Sequence, residues 1–170
     1  GHGMVPDMHA NFVGGRDVSG EIVAIGKQVT GWAVGDRVLY HGNMRRVHGG
    51  FAEYALQDAR TLTAHPNVPA EFAAATPCAA WTAYRALVDK LNIESRSSIF
   101  IAGGAGGVGS FAIQLAKHFV VSKIVTTAST AKHSYVKKLG ATHVIDYRSD
   151  DVAEQIMNLT DGLGVDVALD

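Results

Sequence analysis

The chain has 170 residues, 47% of them hydrophobic and 18% charged, with a formal net charge of −1 and an isoelectric point near 6.8. That mixture belongs to a folded globular chain and excludes intrinsic disorder, and the near-neutral balance gives no electrostatic basis for binding nucleic acid or a membrane surface. No apolar run approaches the roughly 18 residues that span a bilayer. The single cysteine excludes an intrachain disulfide and fits a reducing compartment, the cytoplasm. No signal peptide is visible, although a missing N-terminus would hide one.

Taken in order, residues 1–66 are rich in β-forming residues. Runs at 18–25, 37–40 and 51–56 read as short strands, punctuated by Gly14-Gly15, Gly31, Gly35-Asp36, Gly42-Asn43 and Gly49-Gly50. Residues 66–69, bounded by two prolines, read as a junction. Residues 69–75 suit a short helix with proline at its start. A longer helix follows, with Trp81, Tyr84, Leu87, Val88 and Leu91 on one face.

Residues 98–102 form an apolar strand run, and Gly104-Ala105-Gly106-Gly107-Val108-Gly109 then fits G-x-G-x-x-G. Val108, Phe111, Ala112, Leu115, Ala116 and Phe119 recur at helical spacing straight afterwards. Strand, glycine loop and helix in that order suit a dinucleotide: the first glycine for a tight turn, the second for close approach to a pyrophosphate, the third for helix-on-strand packing. The alternative is a glycine-rich structural turn, since 19 glycines in 170 residues generate chance matches. Residues 123–127 read as the next strand. An NAD site wants an acidic residue at its end, about 20 residues past the glycines. No acidic residue lies between Glu94 and Asp146, and the strand runs instead into Ser129, Thr130 and Lys132. A hydroxyl and an ammonium suit a 2′-phosphate, which favours NADP(H). Alternatively Ser129 or Thr130 caps a helix and Lys132 is simply solvated.

The βα rhythm continues: a short helix over 131–139 ending at Gly140, a strand over 142–147, a helix capped by Ser149 or Asp150 with Val152, Ile156 and Leu159 on one face, a turn over 160–164, and a strand over 165–170. This predicts an α/β fold with a doubly wound parallel sheet, incomplete here, because two βαβαβ halves normally make such a sheet. The expected division is 1–75 for the β-rich part and 76–170 for the nucleotide part.

The stretches GGRDVSGEIVAIGKQVTGWAVGDRV (14–38), GGFAEYAL (49–56), PCAAWTAYRAL (77–87), AGGAGGVGSFAIQLAK (102–117), LGATHVIDYRSDD (139–151) and GLGVDVALD (162–170) together resemble the medium-chain dehydrogenase/reductase superfamily, in its zinc-independent quinone oxidoreductase-like branch. The resemblance runs from about Phe12 onward. It implies part of a GroES-like catalytic domain followed by a partial Rossmann domain, as a central piece of a longer enzyme. Residues 1–11 match poorly, and 1–4 read as an appended leader. The resemblance further implies that Gly104, Ala105, Gly106, Gly107, Val108 and Gly109 cradle a pyrophosphate, that Ser129 and Lys132 meet a 2′-phosphate with Tyr147 near the adenosine, and that Thr82 lies near the nicotinamide. The competing readings are a strand-rim aromatic for Tyr147 and a helix N-cap for Thr82.

Zinc-dependent relatives carry Gly-His-Glu where this chain has Gly15-Arg16-Asp17, and arginine stays protonated and does not ligate zinc. Cys78 falls on another ligand position of those relatives, but a catalytic site needs three protein ligands. No metal is therefore expected, and Cys78 reads as a small buried hydrophobe. The eight histidines show no metal-binding spacing. His41 reads as a loop residue or a cleft residue, and Arg45 and Arg46 as a solvated loop or the mouth of a cleft. In this family the helix after the glycine loop usually ends in glycine. Here Val120-Val121 stand there, which implies either a different turn or about 1 kcal/mol of strain.

The resemblance implies NADP(H)-dependent hydride transfer to a quinone or an activated alkene or carbonyl without a metal, by a homodimer when complete. No residue stands out as the proton donor. A zinc-type alcohol dehydrogenase and a non-catalytic nucleotide-binding protein of the same fold are the alternatives.

Overall fold

In a computed structural model of the chain, residues 13–43 and 49–170 are described. The expectations for residues 1–4, Arg45 and Arg46 lie outside them. The chain divides into two compact units, 1–78 and 79–170.

The first unit holds an antiparallel sheet of β1 (Asp17–Glu21), β2 (Arg37–His41) and β3 (Thr63–Ala64), in that order. β1 and β2 pair in register from Asp17↔His41 to Glu21↔Arg37. Val38, Leu39 and Tyr40 of β2 are buried, as expected of the strand paired on both sides. Gly31 and Gly35 take positive φ in the connection. The Trp32 indole N–H donates to the Ala59 carbonyl at 3.1 Å and ties that connection down. The first strand is shorter than 18–25 predicts. At Ile22 the backbone bonds pass to Gly35 and Asp36 of the turn, and Val23 and Ile25 are exposed.

Residues 51–56 are not a strand. The Ala52 amide folds back onto the Gly50 carbonyl at 2.9 Å, and Phe51, Tyr54 and Leu56 are exposed. Aromatic and branched residues favour strands only where a ladder partner and a packed face exist. Helix α1 (Ala70–Ala74) follows Pro69 as expected.

In the second unit the core is a four-stranded parallel sheet: β4 (Ser98–Ile101), β5 (Lys123–Thr127), β6 (His143–Ile145) and β7 (Val167–Leu169), in the order β6-β5-β4-β7. Helices α3 (Gly107–His118), α4 (His133–Leu139) and α5 (Val152–Leu159) make the crossovers. The first two crossovers step outward from β4; the third returns the chain to its other side. The carboxyl end of β4 is thus the point where strand order reverses. Ile99, Ile101, Ile113, Ile124 and Val136 are fully buried between sheet and helices.

Helix α2 (Pro77–Tyr84) continues as a π-helical stretch, Arg85–Lys90, in which the Leu91 amide reaches the Ala86 carbonyl five residues back at 3.0 Å. The buried face runs through Ala83 and Leu87, an i, i+4 pair, and Trp81 and Tyr84 are exposed. The N-cap of α5 is Asp151, whose carboxylate accepts from the Glu154 amide, instead of Ser149 or Asp150. Val120 does take the left-handed conformation, φ 59, at the end of α3. No helix among the described residues is long and apolar enough to cross a membrane.

Candidate functional site

The glycine loop lies where the sheet order reverses. It is fastened by three hydrogen bonds to the strands on either side: the Gly103 amide donates to Thr127 Oγ1 at 2.9 Å, the Gly104 amide to the Thr127 carbonyl at 3.0 Å, and the Ala102 amide to the Leu169 carbonyl at 2.8 Å. The left-handed residue of the turn is Gly103, φ 61, one residue before the position assigned from the motif. Gly104 is required for a different reason: a Cβ there would overlap Thr126 Oγ1 and Ile113 Cδ1. A Cβ on Gly109 would overlap the Gly103 carbonyl, so the helix is packed directly on its own loop. At Gly106 a Cβ would meet only the Gly103 carbonyl, at 3.2 Å, and at Gly107 only Ala79, at 3.5 Å. At Gly106 and Gly107 the backbone is open to close approach by an anionic group, and the first amides of α3 have no partner inside the helix.

Ser129 is the N-cap of a single 3₁₀ turn, Thr130–Lys132, yet its side chain makes no capping hydrogen bond. Its hydroxyl is therefore not spent on the helix. Lys132 ends that turn, exposed. Tyr147 follows β6, half exposed, with the Arg148 guanidinium 5.6 Å from its ring centre. Since β5 and β6 are parallel neighbours, Ser129, Lys132 and Tyr147 share the sheet edge that carries the glycine loop. Thr82 is exposed in the sixth position of α2, which excludes the N-cap reading. Ala79, which lies against Gly107, is three residues ahead of it on the same helix.

Asp146 is the residue that reading forward from the glycines misses. It comes from the end of β6 and accepts from the Thr130 amide at 2.9 Å, from the Thr130 hydroxyl, and from the Arg148 amide at 3.0 Å. The Thr130 hydroxyl and then the Arg148 amide hold its carboxyl below the ordinary carboxylate range, so it is charged at neutral pH. At 8% exposure it is turned inward, while Ser129 and Lys132 remain available. Its only sequence signal is its place at a strand end, some 37 residues beyond Gly109, well past the roughly 20-residue spacing of a ribose-binding acid.

In the first unit, Asp17 Oδ1 lies 2.6 Å from His41 Nδ1. Asp17 Oδ2 accepts the Cys78 amide at 3.1 Å, and Cys78 itself is exposed, not the buried hydrophobe expected.

Comparison with known proteins agrees with this architecture. Residues 2–67 match the alcohol dehydrogenase GroES-like domain and residues 107–170 the zinc-binding dehydrogenase domain. The chain belongs to the medium-chain dehydrogenase/reductase superfamily. The 2-methylene-furan-3-one reductase of Solanum lycopersicum is 41% identical over 148 residues, covering 82% of this chain and 37% of the relative. The chloroplastic NADPH-dependent alkenal/one oxidoreductase of Arabidopsis thaliana is 37% identical over 149 residues, covering 84% and 38%. Among solved structures, a quinone oxidoreductase of Pseudomonas syringae superposes with a TM-score of 0.85 at 32% identity, over 96% of this chain and 50% of that one. The chain thus spans half or less of the length of these relatives. Its fold is the GroES-like β domain followed by the Rossmann-type parallel sheet, as the resemblance implied.

Proposed function

We propose that this chain is the cofactor-holding part of an NADP(H)-dependent reductase that delivers hydride to a quinone or an activated alkene or carbonyl, working as a homodimer in the cytoplasm. The observation that carries the reading is the glycine-rich loop 103–109 at the strand-order reversal, with Ser129 and Lys132 on the same sheet edge. Bound there, the cofactor supplies the hydride. Gly104, Ala105, Gly106, Gly107, Val108 and Gly109 hold the pyrophosphate through backbone amides. Ser129 and Lys132 hold the 2′-phosphate, Tyr147 borders the adenosine, and Thr82 reaches toward the nicotinamide. Asp146 acts as a positioning residue: by occupying the Thr130 amide and hydroxyl it fixes the turn that presents Ser129 and Lys132. A conjugated acceptor develops its charge on an oxygen that hydrogen-bond donors stabilise, so this hydride step calls on no metal.

The test is a calorimetric titration with NADPH beside NADH. NADPH binding at least about tenfold tighter, a difference of about 1.4 kcal/mol, with the gap closing in Lys132→Ala, supports the assignment. Equal or reversed preference removes it.

A further inference from the structure

We propose that the C-terminal ends of α3 and α4 form a docking surface for an acidic protein partner, one that presents several carboxylates from a folded segment such as a helix. α3 starts at the glycine loop and ends at His118, and α4 ends at Leu139. Because β4, β5 and β6 run parallel, both helices end at the amino-terminal edge of the sheet, opposite the glycine loop. The 12 residues of α3 put this surface about 18 Å from the loop, at 1.5 Å per residue. A partner there leaves the loop open, whichever nucleotide the loop holds.

A shallow cleft of about 420 Å³ lies at these helix ends, lined by Gln114, Lys117, His118, Lys138 and Leu139. Gln114, Lys117 and His118 stand at i, i+3 and i+4 and so share one face of α3. All three are exposed, as are Lys137 and Lys138 on α4. The stem of Lys117 is laid across the end of α4: a Cβ added to Gly140 would come within 2.7 Å of Lys117 Cδ. A lysine braced in this way gives up less side-chain freedom when its ammonium pairs.

The charge pattern points outward. Residues 95–145 contain six lysines and arginines, three histidines and no aspartate or glutamate, in a chain with 16 acidic residues in all. Among the described residues, no carboxylate pairs with Lys117, His118, Lys137 or Lys138. The helix dipole favours cations in the last turn of each helix. It does not account for the missing carboxylates, since exposed helix faces gain stability from opposite charges three or four residues apart. A surface that keeps its cations unpaired in the free protein is matched by counter-charges that a partner brings.

The fold also selects the kind of anion. Helix C-termini present carbonyl oxygens and partial negative charge, so a lone phosphate in the cleft meets none of the backbone N–H groups that a helix N-terminus offers. Lysines from two helices instead reach carboxylates spread over a surface. A net charge of −1 gives a polynucleotide no long-range attraction to the molecule.

The test uses the full chain and a fluorescein-labelled, alanine-rich helical peptide with glutamates at i, i+3, i+4 and i+7, followed by fluorescence anisotropy. The expected result is micromolar binding at low salt that weakens as NaCl is raised. Lys117→Glu/Lys138→Glu weakens it at least about tenfold, and Lys117→Gln/Lys138→Gln, which keeps much of each stem, weakens it less. Lys27→Glu/Lys90→Glu, the same charge change at exposed positions elsewhere, leaves it unchanged. Melting midpoints recorded for every variant separate lost docking from lost folding. Three results overturn the proposal. The first is no peptide binding at low salt. The second is an equal loss in both glutamate double variants, which would make overall charge the cause. The third is displacement of the peptide at constant ionic strength by inorganic phosphate, or by oligo(dT) more readily than by unlabelled peptide, which would make the cleft a small-anion or nucleic-acid site.

Discussion

Val120 shows what one residue can cost. It sits at φ 59 after α3 and is 85% exposed, so a β-branched side chain is held in the left-handed region without packing to offset it. For an L-residue that conformation costs about 1–2 kcal/mol. Replacement by glycine removes the strain but widens the unfolded ensemble. Val120→Gly is therefore expected to raise stability by about 1 kcal/mol, read as a rise of about 2–4 °C in a thermal melt, with nucleotide affinity unchanged. The family resemblance singled out this position, where a glycine usually stands, but left open whether the turn differs or is strained; the left-handed φ of Val120 decides for strain. The capping residue of α5 was not: Asp150 and Asp151 are adjacent and chemically alike, and only the backbone geometry chooses Asp151.

At the scale of elements, β4, the glycine loop and α3 act as one piece, and two glycines in it do different work. At Gly104 a side chain would intrude on Thr126 and Ile113. Gly104→Val is expected to destabilise the fold by about 1–3 kcal/mol and to abolish NADPH binding with it. At Gly106 a Cβ meets only a carbonyl oxygen at 3.2 Å. Gly106→Ala is expected to keep the melting midpoint within a degree or two while weakening NADPH binding about tenfold, or 1.4 kcal/mol. A melt and a titration on both variants separate packing from recognition. The motif placed all six loop residues together in the sequence. It did not show that the left-handed turn belongs to Gly103, because neighbouring glycines are equally permissive and only the hydrogen bonds to Thr127 select one. The buried face of the α2 segment was misplaced for another reason: the pattern was read from the large aromatics Trp81 and Tyr84, whereas the small Ala83 is the residue buried beside Leu87.

At the scale of the molecule, two carboxylates fasten the parallel sheet. Asp166, just ahead of β7, accepts from the Ser97 and Ser98 amides, each at 2.9 Å, and so ties the start of β7 to the start of β4. Those two amides, with the Ser98 hydroxyl after them, lower its pKa. The Thr130 hydroxyl, followed by the Arg148 amide, lowers that of Asp146 between β6 and β5. A carboxyl whose folded pKa is depressed stabilises the fold above its unfolded value near 3.9, and the contribution disappears as pH falls through the folded pKa. Urea midpoints are therefore expected to hold steady down to about pH 4 and to fall below it. Asp166→Asn should be less stable than the wild type at pH 6 and show a smaller drop between pH 6 and pH 3.

The sequence by itself determined the order of strands and helices in 98–170, the parallel sheet, the glycine loop and the β-rich character of the first unit. These depend on local periodicity, glycine placement and short-range capping, which a linear chain carries openly. Tertiary structure decided the rest. It left residues 51–56 without a ladder, carried Asp146 from one strand end to the turn after another, and brought Asp17, His41 and Cys78 together across 61 residues of chain. Strand pairing and helix docking create these neighbours, and such contacts leave no mark in the local spacing of residues.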